Sequence, residues 1–95
     1  MDEKTTYEKR LEAQLRDWQR RIEALREKSD GMEEDRRSAC RDHLHKLEHR
    51  HADMQATLDK LRSSRQNTFG DVRKASDKAW TDMENAVSKA LIRFN

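Results

Sequence analysis

Residues 7–25 read YEKRLEAQLRDWQRRIEAL, and the spacing of their apolar side chains decides the fold class. Tyr7, Leu11, Leu15, Trp18, Ile22 and Leu25 recur at alternating intervals of four and three residues, the repeat that keeps one stripe of a helix turned toward a partner helix. At about 100° per residue the six fall within about 80° of arc, a narrow seam of coiled-coil type. On its flanks Glu12 with Arg16 and Asp17 with Arg21 form acid-before-base pairs at i, i+4. Each such pair is worth about 0.3–0.5 kcal/mol, more a help to solubility than to stability.

Beyond residue 25 the phase runs on through Ser29, Met32, Arg36, Ala39 and His43, mostly polar positions where packing must weaken. Around Cys40 the register slips. Cys40, Leu44, Leu47, His51, Met54, Leu58 and Leu61 restore the alternation after an extra four-residue step, a stutter that locally unwinds a coiled coil. Arg65, Thr68, Val72, Ala75 and Ala79 carry it further, and a second such step leads through Met83, Ala86, Ala90 and Phe94.

Composition agrees with the period. The chain has 95 residues, 42% of them charged and 33% hydrophobic, with no proline and two glycines. That is too little apolar surface for a deep core, and one domain is the ceiling. Ala, Glu, Lys, Leu and Arg make up about half of the residues, the share typical of coiled coils and long helices. The net charge of +2 is spread evenly along the sequence, so no basic arm is seen and no nucleic-acid partner is expected. No apolar run is long enough to span a bilayer, and the opening MDEKTTYEKR lacks an apolar leader core. With Cys40 the only cysteine, no intrachain disulfide can form, and a cytoplasmic location is expected.

Two stretches can interrupt the helix. KSDGMEED contains Gly31, with Asp30 and Glu33 at the spacing of a capping box. SSRQNTFGD contains Gly70 behind Ser, Asn and Thr, residues that favour caps and turns, and the composition changes there as well. The organisation expected is a long charged coiled-coil helix over 1–66, open to an interruption near 30–31, and a C-terminal amphipathic helix over 67–95. The break near Gly70 is favoured over the one near Gly31. The final segment has the wider apolar stripe: Phe69, Val72, Trp80, Met83, Val87, Leu91 and Phe94, with alanines between, cover roughly 140°. Such a stripe packs inside a helical bundle or lies on an apolar surface, although the strongly basic polar face of a membrane anchor is missing.

The opening with Tyr7, Leu11, Leu15, Trp18 and Leu25, the charged middle, and a tail with Ala79-Trp80, Ala86, Ala90 and Arg93-Phe94 together resemble small bacterial coiled-coil proteins related to a cyanobacterial stress-response family. The resemblance implies a soluble helical protein without assigned catalytic residues, and a stress-response role by association. The sequence departs from that pattern at Gly31, where helix formers are common, and at Phe69, where Trp is more typical.

All four histidines fall in HLHKLEHRH, residues 43–51. With Leu44 and Leu47 on the seam, His51 is also a seam position, His43 borders it, and His45 and His49 point outward. His45 and His49, at i and i+4, are the candidate metal pair, but two ligands fall short of a zinc site, and neither is followed by the Glu of the HExxH motif. A solvated helix face is the better reading, and no cofactor is expected. His51 is either a polar layer that sets register or a ring whose protonation weakens an assembly. Cys40 lacks the shielded pocket and oxyanion site that a nucleophile needs, and no carboxylate pair is singled out, so no enzyme is expected.

The expectation is therefore an all-α, elongated helical coiled coil or open helical hairpin whose seams are completed by self-association. Its interface would be formed by Tyr7, Leu11, Leu15, Trp18, Ile22, Leu25, Leu44, Leu47, Leu58, Leu61 and the C-terminal stripe. Such a protein acts through self-association, as a homo-oligomer, or through a protein partner. The alternative is a peripheral membrane-surface protein using the C-terminal stripe.

Overall fold

The computed structural model describes residues 2–94, including every side chain in that range except that of Gln66. Three helices follow one another: α1 over Glu3–Asp30, α2 over Glu34–Ser63 and α3 over Gln66–Phe94. The outer limits of the two expected segments, residues 1 and 95, lie outside the described range. The all-α, elongated reading holds.

Local chemistry accounts for where α1 and α2 start and stop. Asp2, in extended conformation, caps α1 by accepting from the Thr5 N–H at 2.7 Å, and Glu3 follows in the positive first turn. That bond to Thr5 holds the Asp2 carboxyl below its ordinary value. At the other end the Gly31 N–H reaches the Lys28 carbonyl at 3.2 Å and the Met32 N–H the Ser29 carbonyl at 3.1 Å, closing the last turn. α2 then starts at Glu34, with Glu34 and Asp35 in its first turn. Asp30 and Glu33 do not form the expected capping box, because Asp30 ends α1 while Glu33 is itself the N-cap and makes no side-chain cap bond. α2 stops at Ser64, whose extended ψ of 147° leaves its hydroxyl bonded to the Leu61 carbonyl at 2.8 Å.

The long helix expected over 1–66 is thus two helices, broken near the alternative site at 30–31. An unbroken rod from residue 3 to 65 would be about 95 Å long at 1.5 Å per residue. The molecule measures 51 × 19 × 18 Å, the length of one helix and the width of a bundle. The register slip before Cys40 has the same cause: the apolar stripe changes phase because the chain reverses. Gly70, favoured as the second break, lies inside α3, and the chain turns earlier, at Ser64 and Arg65. The φ of Gly70 is not positive, and an isolated glycine in a helix costs only about 1 kcal/mol, which packing along the rest of α3 outweighs.

Cross-helix contacts fix the topology. Arg26 pairs with Glu48, and Arg62 with Glu12 at 2.8 Å, so α2 runs antiparallel to α1. Tyr7 meets Asp77 while Trp18 meets Glu84, so α3 runs parallel to α1. The result is an up-down-up three-helix bundle. Its axis is filled by the stripe read from the sequence: Leu11, Trp18, Leu25, Cys40, Leu58, Leu61, Met83 and Val87 are all at or below 2% exposure. The seams therefore close on one another within a single chain, and a second chain is not what shields them.

Candidate functional site

The residues expected to form an intermolecular interface form this core instead. Tyr7, Leu15, Ile22, Leu44, Leu47, Phe69 and Phe94 are buried with those just named, while Val72, Trp80 and Leu91 are half-buried against the cluster. The broad stripe of α3 faces inward, so the surface that a membrane would contact is occupied by α1 and α2. Ile92, 80% exposed, is the one large apolar side chain left outside among the described residues.

Where α1 meets α3, polar groups are drawn into the packing. The Trp18 indole N–H donates to one oxygen of Glu84 at 2.7 Å, and Arg21 donates to the other at 3.1 Å. The indole hydrogen bond first, and the guanidinium second, hold the Glu84 carboxyl below the usual carboxylate range. One layer away, the Tyr7 hydroxyl lies 2.6 Å from an Asp77 oxygen and 3.0 Å from the Ser76 hydroxyl. A phenol has one proton, and the shorter contact to the carboxylate takes it, so Ser76 donates to the phenol oxygen. Burial, reinforced by the bond to Asp77, pushes the Tyr7 hydroxyl up to about 12. Phe69, Tyr7, Trp80 and Trp18 form a chain of rings with centroids 5.8–6.0 Å apart, and Arg73 stacks on Tyr7 at 5.1 Å. Outside this chain of rings an open cleft of about 520 Å³ is lined by Arg10, Gln14, Asp17 and Asp77.

The four histidines go separate ways. The His43 ring packs edge-on against Phe94 at 5.3 Å. His45 and His49, the candidate metal pair, are exposed, and His49 lies 3.7 Å from Asp53. His51 Nε2 is 2.8 Å from the Leu15 carbonyl oxygen; a carbonyl only accepts, so this nitrogen carries the proton and ties α2 to α1. Among the described residues no three His, Cys, Asp or Glu side chains are grouped to hold a metal ion. Cys40 is fully buried, and burial pushes its thiol up, away from the reactive thiolate.

Three polar features were missed in the sequence. Ser76, on the seam seven residues from both Phe69 and Met83, is fully buried, whereas the neighbouring Ala75, followed in the sequence reading, is exposed. The partnership of Trp18 with Glu84 joins residues 66 positions apart and has no local signal. The third feature is a mainly basic trough between α2 and α3, about 540 Å³, lined by Lys46, Arg50, Lys89 and Arg93, with Asp82 and His43 at its edges, over a floor of Leu47, Ala86 and Ala90. Its signal is an i, i+4 pair of cations on each helix, which taken one helix at a time looks like an ordinary solvated flank.

No protein-family model matches the chain, and no curated protein or solved structure matches it either. No helix among the described residues is long and apolar enough to cross a membrane.

Proposed function

We propose that the chain is a non-enzymatic, cytoplasmic helical-bundle protein that acts through contacts with other proteins, its own copies included, made by the outer faces of an already folded unit. The observation that carries this reading is the commitment of the chemically versatile side chains to helix packing. Glu84 is clamped by Trp18 and Arg21, Tyr7 is bonded to Asp77, His51 binds a main-chain carbonyl, and Cys40 is sealed in the core. A carboxylate held ionised and a phenol held neutral are poor proton carriers near neutral pH. Self-association in this proposal joins intact bundles, since the inner seams are in use within each chain. A stress-associated role enters only through the resemblance of the seam and tail to the stress-response proteins.

Circular dichroism and sedimentation equilibrium, followed together across a wide dilution series, test the reading. Helicity is expected to stay constant on dilution, whatever happens to the mass. Loss of helicity in step with dissociation would mean that the seams are shared between chains, and would sink it. The membrane-surface alternative keeps one supporting observation, the exposure of Ile92 beside Arg93, but needs α3 to leave the bundle before its broad stripe can touch lipid.

A further inference from the structure

Along the outside of α1 the basic side chains are interleaved with acids: Arg16 pairs with Glu12 at 2.9 Å and Arg21 with Asp17 at 3.1 Å. The trough between α2 and α3 breaks this pattern. Lys46 and Arg50 stand one turn apart on its α2 wall, Lys89 and Arg93 one turn apart on its α3 wall. Among the described residues Lys46, Arg50 and Lys89 make no direct ion pair, and Arg93 has only the Phe94 ring, 5.5 Å away. Four cations thus face a shared trough against a single carboxylate, Asp82, in a protein whose net charge is only +2. Left empty, the four cations repel one another by more than the one carboxylate offsets; an anion seated among them relieves the repulsion and collects charge-assisted hydrogen bonds from both walls.

We propose that this trough is a binding site for a short chain of condensed phosphates. Its shape and charge select that ligand over other anions. Cations on two opposing walls suit a group with oxygens on every side, whereas a carboxylate presents its oxygens in one plane to one wall. Each wall carries its cations across about 6 Å, four residues at 1.5 Å rise, so the ligand must repeat its charge over that distance. At the far end Asp82 lines the trough together with Arg50 and, with Asp53, lines the next part of the groove, where the two carboxylates repel a polyanion that runs on. The basic stretch is therefore matched to a short ligand. The floor of Leu47, Ala86 and Ala90 carries no ring for a nucleobase to stack on, and the one ring among the lining residues, His43, is engaged edge-on with the buried Phe94.

The test is calorimetric titration of the whole chain with inorganic tripolyphosphate at low ionic strength. Saturable one-to-one binding is expected. The double variant Lys46→Gln with Lys89→Gln should weaken it by about tenfold or more, since two charge-assisted contacts are lost. Lys74→Gln with Lys78→Gln removes the same charge from exposed positions on α3 outside the trough, and should weaken binding by less than about twofold. Equal weakening in both double variants would show attraction to net charge alone and overturn the site. Orthophosphate or sulfate binding as tightly as tripolyphosphate would overturn the chain-length argument. Association with anionic phospholipid vesicles without saturable tripolyphosphate binding would overturn it in favour of a membrane surface. Amide shifts recorded during the titration give a second readout that needs no variant: changes should cluster over residues 43–50 and 85–93, and a map centred elsewhere sinks the proposal.

Discussion

Where α3 meets α1, its polar side chains are fastened: Ser76 and Asp77 to Tyr7, and Glu84 to Trp18 and Arg21. Where it meets α2, alanines and a methionine pack below and the flanking lysines and arginines make no direct ion pairs. The same helix is therefore locked on one side and held by apolar contact on the other. The difference teaches how to separate structure from available surface in a small charged protein. A hydrogen-bonded charge at a seam specifies which helix goes where, while an unpaired charge at a groove is free for something outside the chain.

The largest effect should come from cutting the fastened side at its centre. Trp18 is fully buried, packs edge-on against Trp80 at 6.0 Å and donates to Glu84. Trp18→Ala is expected to cost about 3–5 kcal/mol, a large part of the stability of a domain this size. Urea denaturation followed by helical dichroism measures it. Trp18→Phe keeps most of the ring volume but drops the indole N–H, and should cost distinctly less. Equal losses in the two variants would assign the effect to the Glu84 bond rather than to packing. A loss under about 1 kcal/mol in both would mean that α1 and α3 are not locked here at all.

A smaller, pH-dependent effect belongs to Tyr7. Tyr7→Phe keeps the ring contacts with Phe69 and Trp80 and removes the hydroxyl bonded to Asp77, at a cost of about 1–2 kcal/mol near neutral pH. The folded protein raises this hydroxyl from 10.0 to about 12, so it favours the neutral phenol. Its contribution is fully present below the unfolded value of 10.0 and is lost as pH rises from there through about 12. The stability gap between wild type and Tyr7→Phe should therefore be flat across neutral pH and close in alkali. A gap that widens above pH 10 would show that the phenolate, not the phenol, is the form held against Asp77.

The two sides also differ in how far the sequence could be read. Apolar period alone marked Leu11, Leu15, Trp18, Ile22 and Leu25 as a stripe to be buried, and it is buried, because burying a stripe is a property of the stripe itself. What the stripe packs against is not: the same spacing serves two chains or one chain folded back. The deciding feature is the turn at residues 31–33, where one glycine and a set of main-chain bonds outweigh a seam that continues in phase through Met32. Ser76 went unread because a polar residue carries no hydropathy signal, even though its position completes the heptad between Phe69 and Met83. The trough is harder still. Lys46 and Arg50 acquire meaning only when α2 lies against α3, and no pattern within one helix states which neighbour it will have.

The smallest expected effect has the opposite sign, and it tests the unfastened side directly. Lys46 stands one turn from Arg50 in the middle of α2, away from the helix end where a cation would gain from the helix dipole. Like charges at i, i+4 cost about 0.2–0.5 kcal/mol, and Lys89 and Arg93 on the facing wall add to the repulsion, while Asp42 one turn earlier and Asp82 in the trough offset only part of it. With three cations against two carboxylates around it and no direct ion pair to lose, Lys46→Gln should therefore raise stability by a few tenths of a kcal/mol, read as about 1–3 °C in the melting midpoint of a chain this long. Salt supplies the control. At about 1 M ionic strength, where the screening length shrinks to about 3 Å, the gain should vanish. Tripolyphosphate should invert the order, stabilising the wild type more than the variant by occupying the folded protein alone. A Lys46→Gln chain that is less stable at low salt would mean that Lys46 already has a partner in solution, and the distinction between the locked and the open side of α3 would fail at the position chosen to show it.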